Sequence, residues 1–151
     1  MSIAVAPRRP ASVRLPFVLA IAALAALTAF GAGHAARAQS GPTVLVSQNA
    51  NLGMAILTDQ NGMTLYTFAN DQPGVSNCNG GCASAWPPFQ PPAGDLVLPD
   101  GATGTLDQIM RADGTMQVTY NGMPLYYFSG DMNPGDTNGE GIGGVWYAAQ
   151  P

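Results

Sequence analysis

Two stretches of the sequence carry the same side chains that could do chemistry, in the spacing Tyr-x-Phe-x-x-Asp. The residues are Tyr66, Phe68, Asp71, Tyr126, Phe128 and Asp131. Paired carboxylates can hydrolyse a glycosidic bond, and phenols beside carboxylates can bind a ligand or a cation. Residues i and i+2 share one face of a strand, and an aspartate after a strand commonly fixes a turn. We favour a buried aromatic core with aspartate turns, and a ligand pocket at the interface of the two stretches is the alternative.

The only cysteines, Cys78 and Cys82, form a second group with chemical potential. A close pair in an exported protein predicts a structural disulfide. The Cys-x3-Cys spacing differs from the Cys-x-x-Cys of thioredoxin-like enzymes, and covalent haem attachment would need a following histidine. Redox or soft-metal chemistry at this pair stays as the alternative.

A third group is an acidic loop in the second half of the chain, where five side chains carry oxygen atoms. They are Asp131, Asn133, Asp136, Asn138 and Glu140. Calcium prefers six to eight such oxygens, although the spacing of an EF-hand is not met here. The hypothesis is that a calcium ion stabilises this loop where the first half has its cysteines. A solvated acidic turn is the simpler interpretation.

The amino-terminal residues 1–38 have the composition of a signal peptide. Arginines precede an apolar run over residues 15–30, and Ala36 and Ala38 supply small side chains for a cut before Gln39. The apolar run is short for a membrane span. The sequence therefore predicts an exported protein, periplasmic or extracellular, with no membrane span after cleavage.

Residues 39–151 contain nine carboxylates but only one basic side chain, Arg111, and neither lysine nor histidine. The resulting net charge near −8 argues against binding to nucleic acid or to anionic lipid. Without histidine there is no Ser-His-Asp or Cys-His machinery, and without lysine there is no Schiff base. The common histidine-based zinc sites are excluded as well.

An internal repeat organises these residues. Residues 61–71 and 121–131 agree at seven of eleven positions, and the same offset of sixty places Trp86 over Trp146. The two tryptophans thereby join the aromatic residues that could contact a ligand. We predict one β-domain over residues 39–151, built from repeats at about 43–90 and 103–151 that face each other about a pseudo-twofold axis.

Short apolar or alternating runs separated by turn dipeptides predict an all-β fold, a small sandwich or barrel of two β-meanders. The predicted strands cover residues 43–47, 54–58, 63–68, 108–111, 115–120, 123–128 and 145–149. Asn61-Gly62, Asp113-Gly114 and Asn121-Gly122 predict hairpin turns, because type I′ turns need positive φ. No amphipathic helix is predicted. Residues 73–104 are expected to form an ordered crossover, with Trp86, Phe89 and residues 96–98 buried.

The two Tyr-x-Phe-x-x-Asp motifs, together with the segment from Cys78 through Cys82 to Trp86-Pro87-Pro88, resemble a bacterial family of secreted repeats of unknown function. Its members are predicted lipoproteins with a Yx(FWY)xxD motif, also described as Y-X4-D. This chain lacks the cysteine to which a lipid would be attached. The resemblance implies an exported two-repeat protein and brings no activity.

These observations lead to an exported, non-catalytic binding or structural module that would present an aromatic, aspartate-bearing surface where the repeats meet. A redox or electron-transfer accessory that uses the cysteine pair or a bound metal is the alternative. A hydrolase built on Asp71 and Asp131 is a third, weaker one.

Overall fold

The computed structural model describes residues 41–151, so the predicted signal peptide lies outside the described residues. Over this range the chain is mostly strands and turns, with one short helix, α1 (Gly81–Ala85), and a 3-10 turn at Ile142–Gly144. The strands are β1 (Leu45–Asn49), β2 (Met54–Thr58), β3 (Tyr66–Phe68), β4 (Leu106–Met110), β5 (Met116–Tyr120), β6 (Met123–Pro124) and β7 (Trp146–Ala148). No helix of the described part has the length and apolar character required to cross a membrane.

The strands form three antiparallel sheets, β1–β2, β3–β7 and β4–β5–β6. The prediction of an all-β fold made of two repeats is confirmed. The named strands lie in short sheets of two or three strands. The small helix α1 was not predicted, because its five residues are too few to show a helical period in the sequence.

The hairpin turns differ in type between the repeats. Asn121 and Gly122 both have positive φ, 51° and 81°, as a type I′ turn requires. In the Asn61-Gly62 turn only the glycine has positive φ, and the N–H of Asp59 donates to the carbonyl of Met63, 2.9 Å away. The first turn therefore contains one more residue than the second, the pattern of a type I turn followed by a glycine bulge.

Two predicted strands are shorter than expected because the extended chain changes partner within each of them. The N–H of Leu65 bonds to Leu57 of β2, whereas the next residue, Tyr66, pairs with β7. In the second repeat Leu125 bonds back to Val118 in the same way. Each predicted strand thus becomes two short pairings that belong to different sheets.

The pseudo-twofold axis passes between Tyr66 and Tyr126. Their backbones exchange two hydrogen bonds, of 2.8 and 2.9 Å. Ala148 pairs with Tyr66 on one outer side, and Pro88 bridges to Tyr126 on the other. Four extended segments therefore run side by side across the axis, two from each repeat.

Two hydrophobic clusters form the core. The first is centred on Leu57, Leu65, Phe89, Val118 and Leu125, and the second on Ile56, Tyr66, Trp86, Tyr126 and Trp146. The crossover contributes Trp86 and Phe89 to these clusters, and Leu96 and Leu98 are partly buried, as predicted. Val97 is 36% exposed, so its predicted burial is wrong. Its backbone pairs with Thr43 instead, which turns its side chain outward.

Candidate functional site

The motif tyrosines and aspartates pair between the repeats. The hydroxyl of Tyr66 donates to Oδ2 of Asp131 at 2.7 Å, and the hydroxyl of Tyr126 donates to Oδ2 of Asp71 at 2.6 Å. Each repeat thus supplies the donor of one bond and the acceptor of the other. We call these four residues the Tyr–Asp clasp.

Each clasp aspartate also holds the loop that follows it. The Oδ1 atom of Asp71 accepts the N–H of Asn77 at 2.6 Å, and Oδ1 of Asp131 accepts the N–H of Asn138 at 2.9 Å. Both aspartates therefore fix the turn that follows them, as the sequence predicts. The tyrosine partner of each aspartate lies in the other repeat, and the motif spacing does not reveal it.

The clasp is closed to solvent. Tyr66 and Tyr126 are 0% exposed, and Asp71 and Asp131 are 7% and 8% exposed. Burial, with the hydrogen bond to Asp71, raises the pKa of Tyr126 to about 12. Burial raises the pKa of Tyr66 as well. Burial also raises the pKa of Asp71, against the hydrogen bonds from Tyr126 and Asn77 that favour the carboxylate. Both phenols therefore stay protonated donors at neutral pH.

Four aromatic rings pack around the two clasp tyrosines. The indoles of Trp86 and Trp146 lie parallel with centroids 3.8 Å apart. Phe68 stacks on Trp146 at 4.2 Å, and Phe128 lies against Trp86 at 4.4 Å. The clasp tyrosines meet the tryptophans edge-on at 5.4 and 5.1 Å. The predicted aromatic site residues thus come together as one packed cluster, in which Phe68 and Phe128 are only partly buried.

Cys78 and Cys82 form a disulfide, with Cα atoms 5.2 Å apart. Cys78 is fully buried in the second core cluster, and Cys82 is half-buried at the start of α1. The disulfide directly follows Asn77, whose N–H binds Asp71. It therefore braces the loop on which one half of the clasp depends.

Arg111 is a structural residue that the sequence analysis did not single out. Its guanidinium is buried and donates to the carbonyl of Cys78 at 2.6 Å, to the hydroxyl of Ser76 at 2.7 Å and to the side chain of Gln117. Ser76 in turn is 2.7 Å from the hydroxyl of Tyr126. The sequence does mark Arg111 as unusual, because it is the single basic side chain after residue 38.

The side chains of the acidic loop do not converge on one point. Oδ2 of Asp136 accepts the N–H groups of Met132 and Asn133 at 2.9 and 2.8 Å, and these bonds lower the pKa of Asp136. Oε2 of Glu140 accepts the N–H of Ala148 on the outer edge of β7 at 2.6 Å. Within residues 41–151 no group of three or more histidine, cysteine, aspartate or glutamate side chains could hold a metal ion.

The calcium hypothesis stays a prediction, although the carboxylates of Asp136 and Glu140 already accept backbone N–H groups. The two asparagine amides also bond within the loop. Nδ2 of Asn133 donates to Oδ2 of Asp136, and Nδ2 of Asn138 donates to the carbonyl of Gly130, both at 3.3 Å. The carboxylate of Glu140 has a structural role that only the second repeat needs. Ala148 stands where the first repeat has Pro88, and a proline has no N–H to satisfy, so only the second repeat needs an acceptor at this edge.

Comparison with known proteins agrees with this duplicated architecture. A family model described as a secreted repeat of unknown function matches the chain twice, at residues 52–90 and 108–150. Each match contains one complete Tyr-x-Phe-x-x-Asp motif and one tryptophan of the stack. The search of curated proteins and the search of solved structures each gave no match.

Proposed function

Because the chain belongs to the family of secreted repeats of unknown function, we propose that it is an exported, non-catalytic binding module whose two repeats are locked together by the Tyr–Asp clasp. The module would work in the periplasm or outside the cell. Its binding surface would lie away from the motif, since the motif residues are used inside the protein.

The reciprocal clasp is the observation that carries this proposal. A catalytic carboxylate has to reach its substrate, and a glycosidase needs two carboxyl groups across an open cleft. Asp71 and Asp131 are instead more than nine-tenths buried, and both oxygens of each accept a hydrogen bond. This arrangement supports a structural role for the motif over the hydrolase alternative.

The half-buried Cys82 favours a second candidate, a redox accessory that works through the disulfide. A reductant could reach this sulfur more easily than that of Cys78. The absence of a Cys-x-x-Cys spacing and the support that the disulfide gives to the Asp71 loop speak for the structural role.

A turnover assay tests the non-catalytic proposal. The purified exported protein is incubated with chromogenic glycosides and with polysaccharides, beside the variants Asp71→Asn and Asp131→Asn. We expect no turnover from any of the three proteins. Turnover by the unaltered protein that both variants lose while they remain folded would overturn the proposal.

A reduction experiment separates the redox candidate from the binding module. Folded protein is treated with a dithiol, and free thiols are counted by mass spectrometry while unfolding is followed by tryptophan fluorescence. We expect thiols to appear only as fast as the protein unfolds. Rapid reduction of the folded protein, with exchange onto a model disulfide, would establish the redox candidate instead.

A further inference from the structure

Two surface pockets lie at equivalent places in the two repeats. The larger, of about 310 Å³, is called the open pocket, and its defining residues are Thr67, Asn121, Tyr147, Ala149 and Gln150. The smaller, of about 160 Å³, is called the occupied pocket, and its defining residues are Asp59, Asn61, Phe89, Gln90 and Tyr127. The repeat offset of sixty relates five lining residues of one pocket to five of the other. The pockets are therefore two copies of one site that have diverged.

Three of the five equivalent positions differ, and at two of them the occupied pocket has an aromatic ring that the open pocket lacks. In the occupied pocket the ring of Tyr127 packs edge-on against Phe89, with centroids 5.6 Å apart, and its hydroxyl donates to Oδ2 of Asp59 at 3.1 Å. The open pocket has Thr67 and Ala149 at the two equivalent positions. Neither side chain can fill the space that a phenol ring takes in the other copy.

The walls of the open pocket fit a ring with a polar end. Tyr147 is 43% exposed, and its hydroxyl donates to the carbonyl of Gly144 at 2.8 Å, which fixes the ring beside the pocket. Met123 adds an apolar wall, and the exposed amides of Asn121 and Gln150 add polar groups. The residues that line this pocket are all uncharged, so its ligand would be neutral.

We propose that the open pocket binds a neutral phenolic ring, placed where the occupied pocket holds its own Tyr127. The ligand ring lies against Tyr147 and over Thr67, and its hydroxyl meets the amides of Asn121 or Gln150. Offset or edge-on contact between aromatic rings favours such a ligand over a saturated one. This inference rests on the proposed function as a binding module and names the chemical class of its ligand.

The test is a titration of the exported protein with p-cresol, the side-chain analogue of tyrosine, followed by NMR. We expect saturable shifts confined to the amides of Thr67, Asn121, Tyr147 and Gln150, with one site per chain. Thr67→Tyr places the protein's own ring in the pocket and should weaken p-cresol binding at least about tenfold. The matched control, Met132→Tyr, adds the same ring at an exposed position outside the pocket and should bind as the unaltered protein does.

A complementary variant, Tyr127→Thr, should open the second copy and raise the number of p-cresol sites from one to two. Absence of saturable shifts, or equal binding by Thr67→Tyr, would overturn the proposal. Preferential binding of methyl glucoside at the same amides would overturn the aromatic class. If p-cresol does not bind and the glycoside assay shows no turnover, the phenolic ligand class is refuted and the non-catalytic function stands. If the protein turns over glycosides and the aspartate variants do not, the non-catalytic function is refuted.

Discussion

Each clasp tyrosine keeps its proton because its hydroxyl donates to an aspartate inside the protein. For Tyr126 this hydrogen bond and burial both favour the neutral phenol, which raises the pKa from 10.0 to about 12. The sequence predicts the burial, since alternating aromatics on a strand suit a core. It does not predict the pairing, because the spacing within one motif cannot show that the tyrosine of one repeat meets the aspartate of the other.

We expect the protein to lose stability in alkali. The unfolded chain releases the Tyr126 proton near pH 10 and the folded protein only near pH 12. The unfolded state therefore binds fewer protons in this window, and the free energy of unfolding falls as the pH rises through it. Urea unfolding midpoints, measured from neutral pH to about pH 12, check this.

Tyr126→Phe is the matched variant for the alkaline experiment, and Tyr147→Phe, at an exposed tyrosine, is its control. The first should flatten the fall in the midpoint above pH 10, and the second should leave it unchanged. An equally steep fall in the Tyr126→Phe protein would show that the phenol of Tyr126 does not contribute to it.

The two loops that follow the clasp aspartates are held in place by different interactions. In the first repeat the Cys78–Cys82 disulfide and α1 shape the loop, and in the second Asp136 binds the backbone of its own turn. The sequence correctly located strand β2, whose period and turn are local. It could not locate α1, which is too short to show a helical period. Nor could it give the short lengths of β3 and β6, because Tyr66 and Tyr126 pair with segments far along the chain.

Loss of the disulfide should destabilise the protein moderately. The double variant Cys78→Ala/Cys82→Ala should lower the free energy of unfolding by about 2 kcal/mol, since the loop that the disulfide closes is short. Chemical denaturation beside the oxidised protein measures it. A fall of about 5 kcal/mol in the free energy of unfolding would instead mean that the first repeat cannot form without the disulfide.

Substitution of Asp136 should act independently of calcium. Asp136→Ala removes the acceptor of two backbone N–H groups in an exposed turn, so we expect a small loss of thermal stability. Melting curves with calcium and with EDTA should show the same loss. A loss seen only when calcium is present would support the calcium hypothesis for this loop.

On the scale of the whole molecule, the pseudo-twofold axis explains why two similar repeats make one protein. Reciprocal contacts recur away from the clasp, since Gly74 donates to Gly122 and Gly135 donates to Gly62, at 2.8 and 2.9 Å. The second core cluster also takes side chains from both repeats. The sequence predicted this symmetry from the offset of sixty, whereas the partner changes that split the sheets follow from packing and have no local signal.

Cleavage between the repeats should therefore leave the protein folded. Residues 92–95 are exposed, and the disulfide lies wholly within the first half. A protease site placed there should give two fragments that elute as one species and separate only on unfolding. The same nicked protein with Tyr66→Phe and Tyr126→Phe should separate more easily. Fragments of the unaltered sequence that part under native conditions would show that the chain connection holds the repeats together.

The most direct test of the central claim, that the motif locks one repeat to the other, is a double-mutant cycle on Tyr66→Phe and Asp131→Asn. Each single variant should cost about 1–3 kcal/mol of unfolding free energy, because it leaves a buried polar group without its partner. The cycle should give a coupling energy of about 1–2 kcal/mol between the two sites, well above that for Tyr66→Phe with Asp71→Asn in the same repeat. Coupling near zero for Tyr66 with Asp131, or stronger coupling within the repeat, would contradict the clasp.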